Sequence, residues 1–307
     1  MYIMTLMRTF FMDCVPLFIV LTGYLMNRKT LTKKYYFGIK NTLETYILAS
    51  IACTIYSVIF QDAEFSIRSF VGDVLSYHAA PYSWYIEMYL GLFLLIPFLN
   101  ILYNGLPGKK EKRVLLATLI IMVAAPGVLN IKYKLIPDWW FDLYPIMYYF
   151  IGCYLCEYKV KMKRSLNIVL LVAHIIVAGS LNYYLSYGDM LQWKYWQHYG
   201  SIINLITTVL LFVLVTGIRT DGWNLKIKGI LKYLSGLCLG AYLCSYIADS
   251  IVYEPFNKLV PVVQNRVYYF IPIVILVLIL SVIFSAIVDI CSKGIDFGIQ
   301  KIKTIRK

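Results

Sequence analysis

Apolar residues along this chain do not alternate as in a half-buried strand, nor do they follow the one-sided stripe of a surface helix. They come in long runs separated by short polar stretches. A bilayer core takes about 20 mostly apolar residues per helix. On that measure the sequence predicts spans at 9–26, 43–60, 83–103, 114–130, 143–157, 165–185, 201–218, 233–252 and 267–289. The fifth is short and rich in tyrosine. Every connection is too short for a soluble domain, and there is neither a fixed-period repeat nor a low-complexity segment. The expectation is an all-α, polytopic membrane helix bundle of about nine transmembrane helices, forming a single membrane-embedded domain over 1–307.

The polar stretches alternate in character. One set carries Arg28, Lys29, Lys33, Lys34 and Lys40, then Lys109, Lys110, Lys112 and Arg113, then Lys159, Lys161, Lys163 and Arg164. It continues with Arg219, Lys226, Lys228 and Lys232, and ends with Lys293, Lys301, Lys303, Arg306 and Lys307, 22 of the 29 basic residues. The other set holds only Arg8, Arg68, Lys132, Lys134, Lys194, Lys258 and Arg266. Because Lys and Arg collect on cytoplasmic loops, this predicts a multi-pass protein of the cell membrane with its C-terminus in the cytoplasm and Met1 outside. Trp139, Trp140, Trp193 and Trp196 then fall in outer loops, where an aromatic belt belongs. An outside start with no signal peptide suggests one further helix, running outward, ahead of Met1.

Composition agrees. With 60% hydrophobic and 15% charged residues and a mean hydropathy of +0.70, a water-soluble globule, which carries about 25% charge, is excluded. The net charge of +13 reads as topology and contact with membrane lipids, not as a nucleic-acid surface. The seven cysteines (14, 53, 153, 156, 238, 244 and 291) mostly lie inside apolar runs. Cys153 and Cys156 form a CxxC without other ligands nearby, so packing is expected and no metal site.

Ionisable groups within a span are costly and usually face a bundle interior or a wet cavity. Asp13, Glu87 and Asp249 come from three spans and all fall in the outer third by depth. Asp249 shares a helix face with Ser245 and Tyr242, and Trp84, Glu87, Met88 and Gly91 form another stripe. Two readings stand: a polar pocket for a hydroxylated ligand such as a sugar, or hydrogen bonds between helices and to headgroups. His78 and His198 fall in outer loops. His174, near mid-span, is read as a neutral histidine bonded to a neighbouring helix, and Gly236 with Gly240 as a close-packing pair. On the basic side, Lys33, Lys34 and Lys40 either hold the phosphates of a nucleotide-like donor or set topology and touch anionic lipid.

Four segments then resemble one family. Val15 to Met26 (Val-Pro-Leu-Phe-Ile-Val-Leu-Thr-Gly-Tyr-Leu-Met) is similar to the Phe-rich run ending in Ser/Thr-Gly-Tyr of the integral-membrane acyltransferase-3 family. Trp84 to Asn100, Leu143 to Gly152 and Leu239 to Ser245 follow in the family's order, so the resemblance covers about 14–290. It implies an acyl-CoA-dependent O-acyltransferase that moves an acyl group, commonly acetyl, to a hydroxyl of a cell-surface polysaccharide or lipid-linked sugar. Acyl-CoA is then a substrate, and no tightly bound cofactor is implied.

Family members carry about ten spans, the first with an Arg followed ten residues later by a general-base His. Arg8 has no such partner, and the only histidines are 78, 174 and 198. The catalytic residue is therefore unassigned, with Glu87, His78 and Asp13 as candidates. Lys33, Lys34 and Lys40 are the donor candidates. Trp84, Tyr85, Glu87, Tyr242, Ser245 and Asp249 are those of the acceptor pocket. A transporter or flippase of lipid-linked sugar, or a non-catalytic remnant of the family, are the alternatives.

Overall fold

A computed structural model describes residues 2–130, 133–188 and 198–305, with backbone alone at 296 and 298–305. The expectations placed on Lys132, Trp193, Lys194, Trp196, Arg306 and Lys307, and on the side chains of Lys301 and Lys303, lie outside the described residues. The described chain is helical, with no strand among its described residues, as the apolar runs predict. Among the described residues, six helical stretches are long and apolar enough to cross a membrane: Tyr2–Met26, Lys33–Phe60, Trp84–Gly105, Arg164–Leu185, Leu225–Leu259 and Val263–Ile295.

The other three predicted spans are helical but shorter. Tyr144–Tyr158 and Ile202–Thr216 have 15 residues each, about 22 Å at 1.5 Å per residue. The run at 114–130 is broken. Its helix Lys109–Leu119 passes into a π-turn at Ile120–Ala124 before Pro126. Pro126 has no N–H for the α-ladder, and the Ala125 N–H instead reaches back five residues to Ile120 O at 3.0 Å.

The chain folds as two compact units, Met1–Thr32 with Leu94–Thr220, and Lys33–Phe93 with Asp221–Lys307. In chain order the helices are α1 (Tyr2–Phe11), α2 (Cys14–Met26), α3 (Lys33–Phe37), α4 (Lys40–Phe60), α5 (Ile67–Leu75) and α6 (Trp84–Gly105). There follow α7 (Lys109–Leu119), α8 (Pro126–Leu129), α9 (Tyr144–Tyr158), α10 (Arg164–Leu185), α11 (Ile202–Thr216), α12 (Leu225–Leu259) and α13 (Phe270–Ile305).

The first unit is built on α2 against α9. A Cβ on Gly23 would strike the Tyr149 carbonyl, and one on Gly152 the Val20 carbonyl, so the two backbones touch. Cys153 is buried at this crossing and donates to Gly23 O at 3.6 Å. Asn100 closes the end of α2. Its Nδ2 donates to Met26 O and Lys29 O, both at 2.8 Å, and its Oδ1 accepts from Tyr149 Oη at 2.6 Å. Buried Lys112 of α7 reaches Glu157 of α9 at 2.8 Å and lies 4.6 Å from the centre of the Tyr103 ring. The π-cloud and the carboxylate together offset the cost of burying the ammonium. His174 of α10 donates through Nε2 to Ile203 O of α11 at 3.0 Å, the interhelical bond its mid-span place predicts.

The second unit packs α12 on α13 and both on α4. Gly240 lies against Ser285, whose hydroxyl donates to Leu237 O at 2.8 Å. Gly236 faces open space, so only one member of the expected glycine pair packs. The opposite face of α13, with Ile271, Ile275, Leu278, Ile279 and Ile283, stays exposed, as a lipid-facing surface would. In α6, Pro97 leaves the Phe93 carbonyl without its helical donor. Tyr35 fills the gap, donating to Phe93 O at 2.6 Å with the two rings stacked 4.4 Å apart.

Candidate active site

In the second unit α12 runs unbroken from Leu225 to beyond Asp249, because its first proline is Pro255. Tyr242, Ser245 and Asp249 therefore share one face. Asp249 is half-buried and accepts from Tyr82 Oη at 2.9 Å. Tyr82 stands just ahead of α6, where burial and then the Asp249 carboxylate push its phenol up to about 12. It stays protonated at neutral pH and is a standing donor. Its ring lies 5.8 Å from that of Tyr242, which in turn meets Tyr85 edge-on at 5.8 Å. Tyr85 continues to Tyr89 at 6.0 Å, Tyr89 to Phe93 at 6.2 Å, and Phe93 to Tyr35. A column of aromatic rings thus runs from the Asp249 carboxylate to α3, which carries Lys33 and Lys34.

In the first unit Asp13 sits at the break between α1 and α2 and is fully buried. Its Oδ1 accepts from Thr208 Oγ1 of α11 at 2.9 Å, while Oδ2 has no hydrogen-bond partner. Tyr148, also fully buried, donates to Tyr199 O at 2.8 Å. The turn entering α11 is tied by its own side chains. Asn204 Nδ2 donates to His198 O at 2.9 Å, Ser201 Oγ accepts from the Asn204 N–H, and His198 Nδ1 accepts from the Gly200 N–H at 3.1 Å. That is a closed polar knot, not a pocket mouth.

A family model described as an acyltransferase domain, of the acyltransferase-3 type, matches residues 1–286. The chain belongs to that family. No curated protein and no solved structure matches it.

The stretches that carry the family likeness are largely the packing joints of this acyltransferase. Gly23 of Thr-Gly-Tyr meets the segment holding Gly152, and Asn100 ties Met26 to Tyr149. The site expectations divide. Tyr85, Tyr242 and Asp249 come together around Tyr82, which the sequence reading missed, and Trp84 meets Tyr85 edge-on, ring centres 6.3 Å apart. Ser245 spends its hydroxyl on Tyr242 O of its own helix at 2.8 Å.

Glu87 departs from the expectation. It is exposed, whereas Tyr85 and Ile86 are buried. Two residues place it roughly 200° around the helix from Tyr85, so the Trp84, Glu87 and Gly91 stripe is the outward one. The inward one, Tyr85, Tyr89 and Phe93, has a four-residue spacing that was readable. His78 is exposed, and none of the three histidines hydrogen-bonds a carboxylate among the described residues. Asp13 lies in the first unit, Glu87 and Asp249 in the second. Of the donor lysines, Lys33 and Lys34 are exposed on α3, while Lys40 pairs with Glu44 one turn on, at 3.0 Å.

Proposed function

We propose that this acyltransferase moves an acyl group, acetyl in the simplest case, from acyl-CoA to a hydroxyl of a cell-surface polysaccharide or lipid-linked sugar, with its C-terminus in the cytoplasm. The observation that carries the acceptor side is the Asp249–Tyr82 pair set among tyrosine rings. Flat aromatic faces suit the C–H face of a sugar ring, and the carboxylate suits its hydroxyls. In the reaction the acceptor oxygen bonds to the acyl carbon, the C–S bond breaks, and the thiolate leaves. Asp249 takes the hydroxyl proton during attack and returns it to the departing sulfur. Tyr82 holds the carboxylate in place.

The test measures transfer from radiolabelled acetyl-CoA to envelope glycans in membranes carrying wild type, Asp249→Asn or Tyr82→Phe. Asparagine keeps an acceptor for Tyr82 but takes no proton, so activity should fall about 100-fold or more, the scale of a lost general base. Tyr82→Phe should fall less. Unchanged transfer by Asp249→Asn removes the carboxylate from the reaction. Movement of lipid-linked sugar by wild type without acyl-CoA would replace the whole reading with a transporter.

A further inference from the structure

At the end of the first unit where α2, α9 and α11 all terminate, a cavity of about 380 Å3 opens. Its polar lining is Tyr24, Lys159, Lys161, Thr216 and Arg219, and no carboxylate borders it. The cations are exposed, and none of the ion pairs among the described residues uses them. Four other lysines do pair with carboxylates among the described residues: Lys40 with Glu44, Lys112 with Glu157, Lys134 with Asp138 and Lys293 with Asp289.

A second observation falls on the same residues. Lys159 caps α9 in the left-handed conformation, φ 44° and ψ 53°. Glycine is the usual residue there, and an L-residue costs about 1–2 kcal/mol. The helix ends also turn carbonyls, and hence partial negative charge, toward the cavity. Backbone dipoles therefore oppose an anion, and any anion held there depends on the three side chains.

We propose that this cavity binds phosphate groups, the chemistry shared by the nucleotide end of acyl-CoA and by an anionic lipid headgroup. It accounts for three unpaired cations converging on one concavity and for a lysine kept where glycine fits better. For its nucleotide source the inference rests on the acyl-CoA reading above, and it moves the donor's phosphates away from Lys33, Lys34 and Lys40.

The test uses the full chain in phosphatidylcholine nanodiscs and labelled adenosine 3′,5′-bisphosphate. Wild type should bind it saturably. Lys159→Gln, Lys161→Gln and Arg219→Gln together should weaken binding at least about tenfold, the low end for lost charge-assisted bonds. Lys33→Gln with Lys34→Gln should leave binding unchanged. Lys159→Gly guards against a folding artefact. Glycine suits the left-handed backbone, so thermal stability should hold or rise while binding weakens.

In the lipid arm, phosphatidylglycerol is added to the nanodiscs. If it enriches on wild type over the triple variant and displaces the bisphosphate, the headgroup is the source; if coenzyme A displaces and the lipid does not, the nucleotide is. No saturable binding of either probe, or equal binding by the triple variant, overturns the proposal. Binding needs no turnover, so the two readings fail separately. An unchanged KM for acyl-CoA in the triple variant sinks the nucleotide source alone. Absent transfer by wild type sinks the acyltransferase reaction and leaves the cavity standing.

Discussion

Asp13 in the first unit of this acyltransferase and Asp249 in the second each accept a hydrogen bond from a hydroxyl of another element, and the two are held in opposite ways. Asp13 has no exposure, is bonded by Thr208 and keeps one oxygen without a partner. Asp249 is half-buried and held by a phenol from outside its helix. The helix joints of the two units differ in the same sense. In the first unit glycines bring two main chains into contact, whereas in the second Gly240 meets only a serine side chain. A carboxylate locked in a joint and a carboxylate open to a hydroxyl are different tools. On the proposed reaction, the first unit is a scaffold at this point and the second offers the reacting group.

The largest effect should come from filling the glycine joint. Gly152→Leu or Gly23→Leu sets a side chain against a carbonyl that cannot move aside. The cost should be about 3 kcal/mol or more, or loss of the folded chain. Gly240→Ala meets the Ser285 hydroxyl, which can rotate at the expense of its bond to Leu237, so about 1 kcal/mol is expected. Gly236→Ala fills open space and should be neutral or stabilising by up to about 1 kcal/mol. Thermal unfolding in detergent ranks the four. Equal shifts would erase the contrast between the units.

Next come the hydroxyls that hold the carboxylates. Thr208→Val removes a donor from a fully buried acid and should cost about 2 kcal/mol. Tyr82→Phe exposes Asp249 to water or headgroups as substitute partners, and should cost about 1 kcal/mol or less in stability while lowering transfer. If the stability order reverses, Asp249 is the structural carboxylate and the assignment of roles inverts.

The ion pairs sharpen the same contrast at smaller scale. Glu157→Gln leaves the buried Lys112 ammonium with a weaker partner and should cost about 1–2 kcal/mol, because one side of the pair is out of water. Glu44→Gln breaks an exposed pair one turn apart and should cost at most about 0.5 kcal/mol. Raising salt should narrow the second difference and leave the first.

The helices were legible because a bilayer-length apolar run allows few other structures; each of the nine predicted segments holds helix among the described residues, and six of these helices are long and apolar enough to cross a membrane. The π-turn at Ile120–Ala124 was signalled by Pro126 but masked by the apolar run across it. Within the site, the Tyr242–Asp249 face could be read from spacing, since α12 is unbroken there. Which face of α6 turns inward could not. Trp84, Glu87 and Gly91 repeat as regularly as Tyr85, Tyr89 and Phe93, and periodicity gives a stripe without saying what it faces. Tyr82 was missed because it belongs to no helix and meets Asp249 across 167 residues of chain. Lys159 and Arg219 looked like any topology lysine or arginine. Only the ends of α9 and α11 meeting at one cavity set them apart.

The smallest expected effect lies in the turn ahead of α11. Burial lowers the proton affinity of His198, with Asp142 opposing in part, from an ordinary value of 6.5. Its Nδ1 also accepts from the Gly200 N–H, a bond that a proton on that nitrogen removes. Between the lowered value and 6.5 the unfolded chain binds more protons than the folded one. Stability is therefore complete above 6.5, falls as pH drops through it, and levels off below the folded-state value. His198→Asn keeps an acceptor near the Nδ1 position and removes the titration. The wild type should lose slightly more thermal stability than this variant between roughly pH 8 and pH 5. Parallel curves would mean that the knot ahead of α11 tolerates a charged imidazole, and the first unit would then be less closed than its glycines and its buried carboxylate make it.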